Sequence, residues 1–321
     1  MKKIFSFFII VIGVFAILLQ SCNKEPDIDK STMIDGGALP DPSIAHPEKY
    51  LVSYAYPTPT QLQLLSPVVI AVHGYSATTW EWDEFRHWSD SVGHFMTSQV
   101  LLGGHGRSYE EFKKANWHDW QKPILDEFNR LKNLGYKNIS VIGSSTAGPL
   151  ILNLIYTGAF STGNMPNQVI FVDPIIIASS KLLSLVNIVG PVISYTETSL
   201  DPKEMGHYYQ YRPQESLNEL QDLLNITRKK LEDGIQLPTG LNLTVYKSLK
   251  DPSADPYSAV LLYKGISTSG GEKPDIRMVD SDLHVFTNLQ GRKAYSAKDK
   301  ALQIKTFREI DLIISPGFLK R

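Results

Sequence analysis

A hexapeptide, Gly143-Ser144-Ser145-Thr146-Ala147-Gly148, stands between a Val/Ile-rich run ending at Ile142 and a helical pattern that continues to Tyr156. A sharp strand-to-helix turn strains the backbone at its apex and accepts only small residues two positions before and after it. Gly143 and Ala147 frame Ser145, whereas Ile142 and Thr146 would frame Ser144, so Ser145 is the expected nucleophile. Ser and Gly are also ordinary helix-capping residues. The hexapeptide therefore signals chemistry only if partners stand elsewhere in the chain.

A serine hydroxyl needs an oriented base, which in a strand-helix chain of this order comes late. Of the eight histidines, His284 in Asp280-Ser-Asp-Leu-His284-Val-Phe286 follows the last predicted strand and precedes the final helix, and is the expected base. A carboxylate that holds the imidazole tautomer belongs after the penultimate strand. Val245-Tyr-Lys-Ser-Leu-Lys-Asp251-Pro-Ser-Ala-Asp255 offers Asp251 first; Asp255 is alternatively a helix cap, and Asp173 ends an earlier strand. Asp251 is preferred on chain order. The oxyanion of an acyl-transfer intermediate needs backbone N–H donors. They are expected from Thr146, next to the nucleophile, and from Tyr75 in His73-Gly74-Tyr75-Ser76, where Gly74 permits close backbone approach. His73 reads as a loop-packing residue, and Gly103-Gly104-His105-Gly106, without GxGxxG spacing or a P-loop lysine, as a tight turn.

The elements that must position these groups alternate along the body. Apolar runs at 67–72, 99–102, 139–142 and 168–172, and again at 243–246 and 276–279, read as strands buried on both faces. Trp120, Ile124, Phe128 and Leu131 fall at helical spacing before Gly135, and Thr146 to Tyr156 stops at Gly158. Strand-helix-strand repetition predicts an α/β fold, a mostly parallel sheet flanked by helices. Residues 174–240 break the rhythm and read as two or three helices without a strand, a cap inserted between sheet strands. Within it Ile175 to Ile193 is apolar nearly all round, as acyl-pocket lining or as packing would be, and Ser216 to Asp233 carries leucines on one face. Trp80 and Trp82 are expected in the core or along one pocket wall.

The chain has 321 residues, 42% apolar and 20% charged, enough for a large core and incompatible with a disordered or collagen-like chain. A formal charge of −1 advertises no nucleic-acid surface. Cys22 is the single cysteine, so no intrachain disulfide, Cys-based metal site or thiol nucleophile is expected in the body. Met1-Lys2-Lys3, sixteen uncharged residues from Ile4 to Leu19 and a small residue before Cys22 have the form of a secretory signal, with an uncleaved anchor as the other reading. Leu19-Gln20-Ser21-Cys22 resembles a bacterial lipobox, whose cysteine is lipidated after cleavage of residues 1–21. Residues 22–50, polar and rich in Pro and Gly, read as a flexible tether to a body over 51–321. Lys24-Glu25 is similar to signals for surface display in some Gram-negative bacteria. The expected location is the bacterial cell envelope, at the outer membrane, held through lipidated Cys22.

The ordered set His73-Gly74-Tyr75, Gly104-His105-Gly106, Trp117-His-Asp-Trp120, Gly143 to Gly148, Lys250-Asp251-Pro252 and Leu283 to Thr287 resembles the α/β-hydrolase fold, in its bacterial carboxylesterase and monoacylglycerol-lipase-like branch with a small helical cap. The likeness covers about residues 65–320. It implies a serine hydrolase without metal or organic cofactor, acting on a small-molecule or lipid-like ester through Ser145, His284 and Asp251, with Tyr75 and Thr146 at the oxyanion. The segment before Pro67 departs from the family, being too short and Pro-rich for an opening hairpin. Two other readings stand beside the esterase: a serine peptidase or thioesterase on the same fold, and a binding lipoprotein that kept the fold and lost catalysis.

Overall fold

A computed structural model describes residues 25–28, 51–52, 58–179 and 194–316. Seven strands form its main sheet in the order β1-β3-β2-β4-β5-β9-β11. They are β1 (Leu51–Val52), β2 (Val68–Val72), β3 (Met96–Val100), β4 (Ile139–Ser144), β5 (Gln168–Val172), β9 (Asn242–Ser248) and β11 (Asp275–Val279). Every neighbouring pair is parallel except β1 with β3. The opening strand is two residues long.

Alternation along β2 sends Val68, Ile70 and Val72 to one face and Val69 and Ala71 to the other, and all five are buried. The first face is covered by α4 (Trp117–Leu134), α5 (Ala147–Tyr156) and α6 (Gln214–Asp233), through Trp120, Phe128, Leu150 and Leu220. The second face meets α2 (Asp83–Val92) and α8 (Ala297–Ile314), through Phe85, Phe307 and Ile310. The remaining helices are short: α1 (Gln61–Leu65), α3 (Tyr109–Lys114) and α7 (Tyr257–Gly265). Asn116 caps α4 reciprocally with Asp119, and Gly135 ends it in the left-handed region.

Strand β3 lies three residues before the expected start. Its Thr97, Ser98 and Gln99 are polar yet buried, because each is hydrogen-bonded by a neighbour: Thr97 with Ser89, Ser98 to Glu127, and Gln99 to the Thr79 carbonyl and Asp83. Hydropathy alone misses a buried strand of this kind.

The insertion between β5 and β9 corrects the expectation of helices without a strand. Its described part holds one helix, α6, preceded by the antiparallel pair β6 (Tyr195–Glu197) and β7 (Tyr211–Pro213). It then ends in β8 (Ile235–Leu237), which pairs in parallel with β10 (Ile266–Thr268). Residues 180–193, the larger part of the apolar segment, lie outside the described residues, as do residues 1–24 with Cys22 and the signal. Four residues of the expected tether are described, and two of them meet the body: Glu25 pairs with Lys113 on α3 at 2.5 Å, and Pro26 is buried. The charged partner on the body supplies what the segment's own composition lacks. No helix among the described residues is long and apolar enough to cross a membrane.

Candidate active site

The carboxyl ends of the parallel strands bring the candidate residues together. In a parallel sheet these ends share one edge, and the loops leaving them meet in one crevice. The loop after β2 carries Gly74 to Ser76, the turn after β4 carries Ser145, Asp251 follows β9, and His284 follows β11.

Ser145 has φ +49°, a left-handed backbone that a non-glycine residue adopts only under constraint. The constraint is visible: its N–H donates to the Val172 carbonyl at 3.1 Å, and its own carbonyl accepts from Gly148 and Ile175. Small neighbours are required here. A Cβ on Gly143 would lie 2.7 Å from the Ala147 methyl, and a Cβ on Gly74 would lie 2.9 Å from Ser145 Cβ. The adjacent Ser144 points the other way and spends its hydroxyl on Glu81.

His284 Nε2 stands 2.9 Å from Ser145 Oγ, and its Nδ1 stands 2.9 Å from Asp251 Oδ2. A carboxylate only accepts, so Nδ1 carries the proton and Nε2 is left to accept from the serine hydroxyl. Asp251 is held from its other side as well, its Oδ1 accepting the Ser253 and Ala254 amides at 2.8 and 2.9 Å. Burial would raise this carboxyl, but the His284 hydrogen bond and charge, aided by Lys247, outweigh it and bring it down to about 2.

The two rival carboxylates are otherwise engaged. Asp255 accepts the Tyr257 amide at the start of α7. Asp173, also in the left-handed region at φ +47°, accepts from the Ser248 amide and hydroxyl, the Phe286 amide and Lys247. Burial pushes its carboxyl above the ordinary value, against the opposing charge of Lys247. One atom each from Asp173, Asp251 and His284 falls within 4.8 Å of the others, a cluster with the composition of a cation site. The ammonium of fully buried Lys247, bonded to both carboxylates, supplies the positive charge there.

Tyr75 and Thr146 both line the cavity at Ser145, and among the described residues neither backbone N–H donates elsewhere. The Tyr75 side chain leaves the site: its hydroxyl meets Ser216 on α6 at 2.6 Å. His73 is fully buried, with Nδ1 donating to the Gly74 carbonyl and Nε2 accepting the Leu102 amide, and burial brings it down to about 4. It ties the ends of β2 and β3 as a neutral ring. His105 is likewise buried among aromatic rings and kept neutral by burial. Trp82 is core, donating to the Val72 carbonyl, while Trp80 stacks on His207 at 4.1 Å; neither lines the cavity.

Sequence reasoning passed over two buried charged residues beside this site, Glu81 and Lys247. Glu81 accepts the Gly74 amide at 2.9 Å and the Ser144 hydroxyl with one oxygen, and the Tyr208 hydroxyl of the insertion at 3.1 Å with the other. It therefore joins the β2 loop, the serine turn and the insertion. Lys247 had a visible signal, a lysine next to the apolar run Leu243 to Tyr246 in a strand with both faces covered. Glu81 had none.

The cavity measures about 350 Å³. Ile175, Ala178, Leu217 and Leu220 form its apolar wall, and Thr196, Glu197, Thr198, Arg212 and Ser253 its polar side. Of the apolar segment expected to line a pocket, residues 175–179 are described, and Ile175 and Ala178 among them line this cavity.

No protein-family model matches the chain. Among solved structures it is similar to the monoacylglycerol lipase of Paleococcus ferrophilus, with a TM-score of 0.59 at 14% identity, over 78% of this chain and 96% of that one. The chain has the α/β-hydrolase fold. In sequence, the chain is similar to the thermostable monoacylglycerol lipase of Bacillus sp. (strain H-257), 27% identical over 223 residues that cover 68% of this chain and 83% of that one. It is also 24% identical over 227 residues to a carboxylesterase of Bacillus subtilis (strain 168), covering 68% and 85%.

Proposed function

We propose that this α/β-hydrolase cleaves carboxylic esters by two-step acyl transfer, with Ser145 as nucleophile, His284 as general base and acid, and Asp251 as the carboxylate that orients it. The reading is carried by one observation: the unbroken run Ser145 Oγ, His284, Asp251, with both spacings at 2.9 Å, starting from a strained strand-to-helix turn. His284 Nε2 takes the hydroxyl proton as Oγ attacks the carbonyl, and returns it to the leaving alcohol. Asp251 keeps the imidazole in the tautomer that can accept, and stabilises the imidazolium. The Tyr75 and Thr146 amides are the donors for the developing oxyanion, preset by the backbone and so requiring little reorganisation. Water then repeats the sequence on the acyl-enzyme.

Relatives named monoacylglycerol lipase and carboxylesterase support an ester rather than a peptide as substrate. The cavity agrees with a lipid-like ester of modest size, its apolar wall suited to an acyl chain and its polar side to a hydroxylated alcohol. The lipobox-like Leu19 to Cys22 supports a lipid anchor on Cys22, which would hold the enzyme at a membrane of the bacterial envelope.

The test is hydrolysis of p-nitrophenyl esters of increasing chain length by the purified chain from residue 23, with an aminoacyl amide as control. Short and medium esters should be cleaved and the amide spared. Ser145→Ala should lose on the order of 10⁶ in kcat and all labelling by a fluorophosphonate, while Ser144→Ala keeps both. Equal loss in the two variants, or full labelling of Ser145→Ala, would remove Ser145 from the role, and a wild type that cleaves no ester and takes no label would favour the non-catalytic reading.

A further inference from the structure

The side chains of Lys247, Asp173 and Asp251 are fully buried together behind the imidazole of His284. Lys247 Nζ donates to Asp251 Oδ2, the same oxygen that accepts His284 Nδ1, and stands 3.4 Å from Asp173 Oδ1. Three donors besides the lysine converge on Asp173: the Ser248 amide at 2.7 Å, its hydroxyl at 3.0 Å and the Phe286 amide at 3.2 Å. Four donors on two oxygens are what an ionised carboxylate satisfies. The backbone groups on Asp173 flank the chemistry, since Ser248 ends the strand before Asp251 and Phe286 lies two residues after His284.

An isolated ammonium at this depth would be very costly. The carboxylates bonded to it supply the compensating charge, and its geometry has a consequence for the base. A hydrogen bond from Lys247 draws on the oxygen that His284 uses, so the carboxylate presented to the imidazole is partly neutralised. Asp173 draws the ammonium the other way. We infer that Lys247 is a positioning residue of the hydrolytic site: with Asp173 as its counter-anchor it sets the orientation of the Asp251 carboxylate and the share of its charge that reaches His284. The inference rests on the reading of Ser145, His284 and Asp251 as the hydrolytic residues.

The charged groups facing this arrangement are few. Asp173 comes from the end of β5, Lys247 from β9, and Asp251 from the loop beyond it. The Arg292 guanidinium donates to the His284 carbonyl, and Glu197 and Arg212 line the same cavity as His284. Neither Lys247 nor Asp173 lines the cavity, so substitutions there act on the base and not on substrate contacts.

The experiment is the pH profile of kcat/KM on p-nitrophenyl acetate from about pH 4.5 to about pH 8, whose acid limb reports protonation of the free enzyme's base. Lys247→Met removes the competing positive charge, so the base holds its proton more readily. The acid limb should move up by about half a unit or more, and plateau kcat should fall about tenfold, with KM within about twofold of wild type. Asp173→Asn leaves the ammonium balanced by Asp251 alone and should move the limb down by a similar amount. The double variant removes one charge of each sign, keeps the buried net charge of wild type and should return the limb towards wild type.

A lysine that merely fills space predicts losses that follow Tm with the acid limb unmoved. That result, or a limb that moves in the same direction in both single variants, overturns the inference. If Lys247→Met does not fold, Asp173→Asn and the double variant carry the test, because their shifts have stated and different outcomes. Wild type that cleaves no ester, or Ser145→Ala that cleaves at the wild-type rate, would instead overturn the hydrolytic reading.

Discussion

Gly74→Ala is the smallest change that tests whether the β2 loop serves the nucleophile. The added methyl would lie 2.9 Å from Ser145 Cβ and 3.5 Å from Ser145 Oγ. Carbon atoms rest at about 3.5–4.0 Å, so one side must retreat by roughly 0.6–1 Å. Ser145 is the firmer side: its left-handed backbone is held by hydrogen bonds to Val172, Gly148 and Ile175. The loop must yield, although Glu81 holds the Gly74 amide and Ser216 holds the Tyr75 hydroxyl. Overpacking of this kind costs about 1–3 kcal/mol of stability. Moving the Tyr75 amide off the oxyanion by most of an ångström should cost on the order of 10² in kcat. Steady-state kinetics on p-nitrophenyl acetate, alongside a urea melt, separate the two effects. Gly93→Ala is the control, because Gly93 has φ +68° with nothing within 4 Å of the added methyl. It should lose about 1–2 kcal/mol of stability and keep its kcat. If Gly74→Ala retains kcat within about threefold of wild type, the loop is not an oxyanion donor and the assignment of Tyr75 fails.

Asp251→Asn should reduce turnover about 10⁴-fold with little change in KM, while Asp255→Asn, at the start of α7, should change turnover by less than about twofold; a larger loss from Asp255→Asn would refute the acid assignment. Buried His73 falls from 6.5 to about 4 on folding, so the unfolded chain binds the extra proton between those values. Stability from this group is complete above pH 6.5 and is lost as the pH falls towards 4, by on the order of 3 kcal/mol. Urea unfolding across that range should show the slope, and His73→Gln should flatten it; an unchanged slope in the variant would place the effect elsewhere. In a bacterial host the wild type should fractionate with membranes and incorporate labelled palmitate, each buried CH₂ contributing about 0.8 kcal/mol. Cys22→Ala should do neither, and the chain from residue 23 should be soluble and active; membrane binding by Cys22→Ala would refute the lipid anchor.

Chain order and side-chain size alone led to Ser145, Asp251 and His284. The strand-to-helix turn demands small residues at 143 and 147 and is a local steric requirement, so it is written locally. The apolar runs of β2, β4, β5 and β9 and the leucine face of α6 are legible for the same reason, since burial on a fixed period leaves its mark in neighbouring positions. Strand β3 and the β6–β7 pair are not, because their polar residues are buried or paired by partners distant in the chain, Glu127 for Ser98 and Tyr211 for Glu197. Chain order favoured Asp251 over Asp173, but the partners that separate them are tertiary: both carboxylates follow strands at the same sheet edge, and only the packed loops show one on the imidazole and the other on Ser248 and Phe286. Glu81 and Lys247 mark the limit most clearly. A lone charged residue in sequence carries no sign of whether water or buried partners will solvate it, and in both cases the partners come from several separate segments that meet only when the sheet edge is assembled.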